Sequence, residues 1–572
     1  MKSLISDILL QRAGKRNWTI HPLVFFFNSL ILIPQSRFDP DPHHDGYVFA
    51  TAIASSEDLV PNRDFFAQYG PLAPILHGLF LKFTGPQLLA LRILTALIIA
   101  LSGLLVFILV GRFQTRFLAL VAQTYWIISY PILPLPHSMP WASVISSFLM
   151  LLIIYTYLKT HDSHSKSLWF IMTGALMALL PLLRFQLILV PCLVTLNVLL
   201  LNRKEKHKRK NFLIVASAFS LITIIIFTMR HFGSLKSYIL QCIIWPSQFY
   251  GVRYLPTNIF TKDGFIYWAS WYYYPVFFLL VLYSHRRLVG HASRLNFSLR
   301  SKSFLIKCLI ALILASGFIL FSYANIYPKS YLNVVLQLQW LVLRLPLAFF
   351  YFLAVFIIIE AFKKIRHLSL FTQENVILLI ACCSVFLLYP GSDPIHLWWS
   401  SPIMIVSFFA LSERKRSHDK AEIEFRLPLL VIILCLSSLS LLLLPNNLKV
   451  VRVGFQSPLL HGMLAPKQNV QEIDNTLLML RRYQEDYPDS VIQFDCRDGL
   501  YAVANGTYMP KSSHFVDWGP DVPKVSFPNS THFLCYATEK DLGDSFPSSE
   551  FTIFSKVTLL NGKVNVIIAP KN

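Results

Sequence analysis

The chain has 572 residues, of which 55% are hydrophobic and 14% are charged, and its mean hydropathy is +0.53. This composition is too apolar and too poor in charge for a soluble globular protein, so it indicates a membrane protein. In a soluble chain the formal net charge of +21 would suggest a nucleic-acid partner. In a membrane protein the same charge is first a topology signal, because Lys and Arg concentrate in cytoplasmic loops.

Apolar stretches of roughly spanning length recur along residues 1–445 and predict about 13 transmembrane helices. They lie at 19–36, 88–110, 117–134, 141–158, 168–183, 185–201, 211–229, 267–284, 304–323, 345–362, 375–390, 400–412 and 427–445. The first stretch follows a basic start and lacks a small-residue cleavage site, so we interpret it as an uncleaved span rather than a signal peptide. The fold class is therefore an all-α polytopic membrane protein.

The positive charge is distributed asymmetrically between the two sides of this arrangement. With the N-terminus in the cytoplasm, the cytoplasmic segments of residues 1–445 contain 28 Lys and Arg, and the spans and outer segments contain 11. This asymmetry predicts a multi-pass protein of the cell membrane with a cytoplasmic N-terminus. Because topology explains the charge, we expect membrane lipids as neighbours and no nucleic acid.

Residues 446–572 are predicted to form a small extracytoplasmic α/β domain, since an odd number of spans places them outside the cytoplasm. VQEIDNTLLMLRRYQEDY is typical of an amphipathic helix, and SVIQFDC, HFLCYAT and VTLLNGKVNVIIA are typical of strands. Cys496 and Cys535 are the only cysteines of this segment. In an oxidising compartment they could form a disulfide, or they could remain separate buried thiols.

The external loop between the first two spans, residues 37–87, begins with an unusual polar cluster. It contains three carboxylates and two imidazoles: Asp39, Asp41, Asp45, His43 and His44. An Asp there could act as a general base on an acceptor hydroxyl. A divalent cation is also possible, bound by Asp39, Asp41, His43 and His44. The alternative is turn and helix-capping chemistry, for which Asp-Pro-Asp-Pro is well suited. The pieces GYVFATAIAS and PLAPILHGLFLKF are too short to span and are predicted to lie at the outer interface.

Basic residues at outer-leaflet depth form a second group of candidates. Arg92, Arg184 and Arg344 could bind a lipid phosphate, because guanidinium matches phosphate oxygens bidentately and buried charges are costly without a partner. The alternative is snorkelling to the headgroups, which we favour for Arg230, Lys236 and Lys329.

A further polar segment, YPGSDPIHLWWSSP at 389–402, is predicted to be an external turn between two spans. Its Asp393 and His396 could approach the first-loop carboxylates or could cap the next helix. Trp398 and Trp399 are explained by an interfacial aromatic belt.

The first external loop resembles that of GT-C glycosyltransferases, the superfamily of protein O-mannosyltransferases and lipid-A aminoarabinose transferases. Members have an Asp after the first span, a pattern like G-x-x-P-Y-R-D-F-x-x-x-Y-G-P-L, and a second span entered through L-x-x-R. The matching positions here are Asp45, Pro61 to Asp64, Tyr69 to Leu72, and Leu91-Arg92. YPGSDPIHLWW is similar to an Asp-x-x-His turn of many bacterial members. Gly46 departs from the mannosyltransferases, which have an acidic residue there.

The resemblance implies an inverting transferase that moves a sugar from a polyprenyl-phosphate carrier to an acceptor hydroxyl on the extracytoplasmic face. Asp45 would be the general base, and the lipid phosphate would leave towards basic residues such as Arg92 and Arg184, with Arg344 as a further candidate. Residues that would support the site or bind the acceptor are Asp64, Tyr69, Asp393 and His396. The acceptor, whether a glycan, a lipid or a protein, stays open, as does a divalent cation.

Other functions also fit a polytopic chain. An O-antigen ligase or polymerase would place its large catalytic loop late in the sequence, whereas the informative loop here is the first. A transporter or flippase for lipid-linked sugars would place broken helices and buried charges near the bilayer midplane. The ionisable residues here gather at the outer end instead, which favours a glycosyltransferase, although an inactive scaffold of this type has the same sequence pattern.

Overall fold

The computed structural model describes residues 20–128, 138–160, 167–201, 208–246, 373–384, 387, 394–414, 451–488, 491–493, 499–504, 531–538, 551–558 and 563–570. Contacts divide the chain into two compact units. The larger unit comprises Asn17–Leu105, Ile132–Leu255 and Asn446–Asn572, and the smaller comprises Met1–Arg16, Val106–Pro131 and Pro256–Pro445. The predicted division into domains 1–445 and 446–572 stays a prediction.

The first 414 residues are helical wherever the structure describes regular elements. In chain order the helices are α1 Ile20–Gln35, α2 His44–Ser56, α3 Leu72–Thr84, α4 Leu88–Phe113, α5 Arg116–Ile128, α6 Ala142–Thr160, α7 Ser167–Leu183, α8 Leu189–Leu201, α9 Lys208–His231, α10 Leu235–Ile239, α11 Gln373–Cys383 and α12 Pro394–Arg414. A 3₁₀ turn, Phe185–Ile188, joins α7 to α8, and a π-helical turn, Leu240–Ile244, follows α10.

Three described helical segments are long and apolar enough to cross a membrane. They are α4, α6 and the Phe212–His231 part of α9, and each lies on a predicted span. Shorter apolar helices, among them α1 and α7, also lie on predicted spans. The predicted spans 267–284, 304–323, 345–362 and 427–445 lie outside the described residues, so the count of about 13 stays a prediction.

The prediction of a polar turn over 389–402 is wrong in its second half, because α12 is helical from Pro394 onward. Proline favours the first turn of a helix, where its missing N–H has no intrahelical partner to lose. Trp398 is buried and stacks on Trp126 at 4.8 Å, and each indole N–H donates to the other residue's carbonyl oxygen. This packing within the smaller unit replaces the aromatic belt expected for Trp398.

The helices α2 and α3 pack closely, since a Cβ added at Gly78 would lie 2.5 Å from the Ser55 side chain. The placement of both pieces at the outer interface stays a prediction. Helix α3 exposes Leu79 and Phe83, whereas α2 is buried from Asp45 to Thr51. Phe49 of α2 packs against side chains of α3, α4 and the C-terminal segment.

The C-terminal segment contains β1 Arg452–Gly454, β2 Leu464–Pro466, α13 Lys467–Asp486, β3 Val491–Gln493, α14 Gly499–Ala504, β4 Thr531–Thr538, β5 Phe551–Thr558 and β6 Lys563–Pro570. Strands β1 and β2 pair antiparallel, and the other four form a sheet in the order β3-β4-β6-β5, in which only β3 and β4 run parallel. Leu477 and Leu480 of α13 and Tyr501 of α14 share one hydrophobic core with Phe49 of α2 and Leu88 of α4. The burial of this apolar surface holds the C-terminal segment against α2, α3 and the start of α4.

Candidate functional site: a buried carboxylate and arginine under the C-terminal segment

Asp45 lies in the first turn of α2, where it takes part in a reciprocal cap. The Asp41 carboxylate accepts a hydrogen bond from the N–H of His44 at 2.6 Å, and the Asp45 carboxylate accepts one from the N–H of Asp41 at 2.7 Å. Pro42 lies in the turn just before α2. Both carboxylates thus bind backbone N–H groups in the turn that leads into α2, in keeping with the turn chemistry of Asp-Pro-Asp-Pro.

Asp45 also forms a buried ion pair with Arg92, and neither side chain has any exposed surface. Arg92 Nε donates to Asp45 Oδ1 at 3.1 Å, and Nη2 donates to Oδ2. The carboxylate and guanidinium thus meet in the two-point geometry that gives the strongest such pairs. This pair joins the start of α2 to the start of α4.

The remaining Arg92 donors are bound by backbone carbonyls beyond the end of α1. Nη1 donates to Phe38 O at 2.6 Å and to Ser36 O at 3.4 Å, and Nη2 donates to Asp39 O at 3.1 Å. Protein oxygens therefore engage each of the three guanidinium nitrogens. A phosphate could bind Arg92 only by displacing some of them, and the phosphate-binding role of Arg92 stays a prediction.

Burial controls the acidity of Asp45. Removal from water raises the pKa of Asp45 above its ordinary value because the charged form loses hydration, while the charge and hydrogen bonds of Arg92 act in the opposite direction. A carboxyl with a raised pKa is a better proton acceptor than an exposed aspartate.

The four residues of the predicted cation site do not converge. The carboxylate of Asp39 pairs with Arg452 and that of Asp41 caps α2, while the rings of His43 and His44 pack edge to face at 4.7 Å. Within the described ranges, no group of three or more His, Cys, Asp or Glu side chains has metal-binding geometry. Both oxygens of Asp39 and Oδ1 of Asp41 accept hydrogen bonds from protein donors in this arrangement, and the cation site stays a prediction.

A row of rings leads from α2 to Arg184. His44 contacts Trp141 at 5.1 Å between ring centroids, Trp141 contacts Tyr69 at 5.3 Å, and the Arg184 guanidinium lies over the Tyr69 ring at 4.9 Å. Arg184 is only 2% exposed and has an extended backbone between α7 and the following 3₁₀ turn. The structure thus brings together three predicted site residues, His44, Tyr69 and Arg184, through Trp141, which the sequence reasoning missed.

Gly70 explains how Tyr69 reaches Arg184. Its φ of +128° is unfavourable for other residues, and an added Cβ would lie 2.3 Å from the carbonyl oxygen of Leu182. The absence of a side chain therefore lets the Tyr69-Gly70-Pro71 segment pack directly on the end of α7, two residues before Arg184.

Asp64 organises the loop between α2 and α3. Its carboxylate accepts the N–H of Val60 at 2.8 Å and pairs with the adjacent Arg63 at 2.7 Å. In the same loop, the buried Asn62 donates to the Gln241 side chain at 2.7 Å, and Gln241 accepts the N–H of Ala67 at 3.0 Å. Through these contacts Asp64 stabilises the loop, and its role in acceptor binding stays a prediction.

The other predicted residues have less structural context. Arg344, Asp393 and Cys496 lie outside the described residues, and Cys535 is on β4, so the disulfide stays a prediction. His396 is in the first turn of α12, where its ring packs edge to face with Trp399 at 4.7 Å.

No protein-family model matches this chain, and the search of curated proteins found no match. Among solved structures, the chain is similar to ArnT from Cupriavidus metallidurans bound to undecaprenyl phosphate, with 10% identity, coverage of 96% of this chain and 98% of that chain, and a TM-score of 0.43. It is also similar to the Archaeoglobus fulgidus oligosaccharyltransferase in complex with Zn and sulfate, with 14% identity, coverage of 88% and 59%, and a TM-score of 0.42. ArnT in the apo state matches at 12% identity, coverage of 96% and 98%, and a TM-score of 0.39.

These neighbours are GT-C glycosyltransferases, the class that the first external loop resembles in sequence.

Proposed function

We propose that this protein is an integral membrane glycosyltransferase that moves a sugar from a polyprenyl-phosphate carrier to an acceptor hydroxyl on the extracytoplasmic face. The N-terminus would be cytoplasmic, with about 13 spans and the C-terminal α/β domain outside. The observation that carries the proposal is the buried Asp45 carboxylate, held by Arg92 at the start of α2. A fully buried acid whose pKa is raised by its surroundings is typical of a catalytic group.

Asp45 Oδ1 is the proposed proton acceptor. In the described structure Oδ2 accepts hydrogen bonds from Arg92 and from the N–H of Asp41, whereas Oδ1 accepts one from Arg92. Oδ1 therefore keeps capacity to accept the acceptor's hydroxyl proton. Because Asp45 is fully buried, substrate binding has to open a path to Oδ1.

In the proposed reaction, the acceptor oxygen attacks the anomeric carbon as its proton passes to Asp45. The bond between that carbon and the phosphate oxygen breaks, its electron pair leaves with the lipid phosphate, and the configuration inverts. A phosphate leaving group needs positive charge more than a proton, and a fixed cation in a water-poor site supplies it. We assign that role to Arg184, which Tyr69 orients from below its guanidinium.

Arg92 has a different place in this proposal. With its donors bound to Asp45 and to the carbonyls of residues 36, 38 and 39, it holds the base in position. Arg344, Asp393 and His396 remain proposed contributors to phosphate or acceptor binding, and Cys496 and Cys535 a proposed disulfide.

The test compares Asp45→Asn with the matched control Asp41→Asn in proteoliposomes. Donors are undecaprenyl-phosphate sugars carrying mannose, glucose, galactose or 4-amino-4-deoxyarabinose, cell-envelope extract supplies acceptors, and released undecaprenyl phosphate is quantified. Asn at position 45 retains an oxygen for Arg92 but cannot take a proton, so we expect transfer to fall about 10²- to 10⁴-fold. Asp41→Asn retains the capping oxygen and should stay active.

Wild-type transfer with an equally active Asp45→Asn variant would mean that Asp45 serves only as a cap and ion-pair partner. Absence of transfer by the wild type from every donor, with a donor panel extended by lipids from the native membrane, would contradict the glycosyltransferase proposal itself. Mass analysis of the glycans lost when the gene is deleted identifies the acceptor class independently.

A further inference from the structure

The C-terminal segment extends its β-structure into the first external loop. Leu464 of β2 donates its N–H to Arg37 O at 2.7 Å and accepts the N–H of Asp39 at 2.8 Å. Phe38 and Leu464 form a parallel bridge, and the N–H of Leu500 donates to Pro42 O at 3.2 Å. The short stretch between α1 and α2 is thus bound by backbone hydrogen bonds to two separate parts of the C-terminal segment.

Asp39 is the residue where these contacts meet. Its φ of +51° lies in the left-handed region, which few residues with side chains adopt. Its N–H is bound by Leu464, its carbonyl accepts from Arg92, and its carboxylate accepts from Arg452. Contacts from opposite directions therefore fix a backbone conformation that the residue adopts rarely on its own.

Arg452 approaches Asp39 with two-point geometry. Its Nη2 donates to Oδ2 at 2.8 Å and its Nε donates to Oδ1 at 3.1 Å, and the guanidinium lies over the Phe38 ring at 5.1 Å. The Arg452 side chain is 14% exposed and that of Asp39 is 35% exposed. Partial burial, bidentate contact and stacking together distinguish this pair from an ordinary surface ion pair.

The contacts connect Arg452 to Asp45 in three steps. Arg452 holds the Asp39 carboxylate, the Asp39 carbonyl accepts from Arg92 Nη2 at 3.1 Å, and the same Nη2 donates to Asp45 Oδ2. Rotation of Asp39 would move the carbonyl that aligns the Arg92 guanidinium. The alignment of the carboxylate in the proposed base would change with it.

The geometry points to Arg452 as a positioning residue for Asp45, acting through Asp39 and Arg92. This inference rests on the glycosyltransferase proposed above. It means that the C-terminal segment helps to position the proposed base. The expected signature is a loss in turnover without a loss in donor affinity, because the contacts of Arg452 with Asp39 and Phe38 lead to the proposed base.

The kinetic experiment compares Arg452→Ala with Arg482→Ala, a matched control that removes an exposed Arg of α13. In proteoliposomes with the undecaprenyl-phosphate sugar that supports wild-type transfer, Arg452→Ala should lower kcat by about 10²-fold, the effect of a catalytic group displaced by roughly 1 Å. The KM for the donor should not change, and Arg482→Ala should match the wild type. Arg452→Lys should restore part of the rate, because a single ammonium contact replaces a two-point one.

Two readouts separate positioning from general stability. A misaligned Arg92 would lower the pKa of Asp45 less, so burial would raise that pKa further. The acid limb of the Arg452→Ala pH profile should therefore move to higher pH. In an Asp39→Asn background, Arg452→Ala should cause little further loss, since both changes break the same contact. Full additivity of the two changes, or an unshifted limb with an unchanged kcat, would overturn the inference.

A measurement without activity keeps the inference independent of the proposed reaction. Hydrogen exchange of the full-length protein should be faster over residues 36–48 in Arg452→Ala and in Asp39→Asn, and unchanged in Arg482→Ala. Unchanged exchange over 36–48 in Arg452→Ala contradicts the positioning role. If the variants show this exchange pattern and the wild type transfers no sugar, only the proposed function is contradicted.

Discussion

The Asp45–Arg92 pair gives the sharpest prediction for stability, because both partners lie fully inside the protein. The substitution Arg92→Met keeps a long side chain but removes the cation. The Asp45 carboxylate would then retain the N–H of Asp41 as its remaining hydrogen-bond donor. Three backbone carbonyls would also lose the donor they share.

The magnitude follows from these losses. Breaking a buried pair by removal of one partner costs about 3–5 kcal/mol, since it leaves an uncompensated charge. The Ser36 carbonyl contact is buried, and its loss adds about 1–3 kcal/mol, whereas the Phe38 and Asp39 carbonyls are part-buried and can be hydrated instead. We therefore expect Arg92→Met to lower the free energy of unfolding by about 4–8 kcal/mol, a large part of the stability of a typical domain.

Asp45→Asn should cost less, because the Asn oxygen still accepts from Arg92 and the three carbonyls still surround the guanidinium. The double variant should be more stable than the sum of the two single losses implies, since neither residue is then left with an unpaired charge. The destabilisation by Arg92→Met should also shrink at low pH, as protonation removes the buried charge of Asp45.

The assay is unfolding of the detergent-purified protein, followed by tryptophan fluorescence at several pH values. Arg63→Met is the matched control, because its pair with Asp64 is exposed, with side-chain exposures of 44% and 20%, and should change stability little. If Arg92→Met is no more destabilising than Arg63→Met, or if the double variant is additive, the pair does not carry the energy assigned to it.

Three further predictions concern the surroundings of this pair. Gly70→Ala should strongly reduce folded yield and transfer. Gly85 also has a positive φ but no atom within 4 Å of an added Cβ, so Gly85→Ala should cost only backbone strain, and equal effects of the two variants would exclude the Leu182 contact as the cause. Tyr69→Leu should raise the donor KM about 2- to 30-fold by loss of the cation–π contact with Arg184, whereas Tyr69→Phe should not, as measured by steady-state kinetics. Burial raises the pKa of Asp45, so transfer should fall as the pH drops through that raised pKa. Over the same pH interval the free energy of unfolding of the wild type relative to Asp45→Asn should rise, because the folded state binds the proton more tightly than the unfolded state. A stability difference that is independent of pH would contradict this assignment.

The sequence by itself located the helices of residues 20–231 well, because an apolar run of spanning length is a local property. The same reasoning selected Asp45, Arg92 and Arg184 as unusual charges, and it placed a helix and strands in the C-terminal segment. It missed the start of α12, which is helical from Pro394 onward, although proline favours the first turn of a helix. It also did not show that α2 is buried, since whether an apolar helix faces lipid or protein depends on what packs against it.

Only the tertiary structure decided which partners these charges have. Asp45 meets Arg92 over a separation of 47 residues, and Asp39 meets Arg452 over a separation of 413. Sequence reasoning considered Arg92 as a phosphate ligand and Asp39 as a cation ligand, since an isolated charge and an ion-pair partner look alike in a sequence. The distinction depends on tertiary folding, which brings donors and acceptors from distant parts of the chain together so that burial does not leave them unpaired.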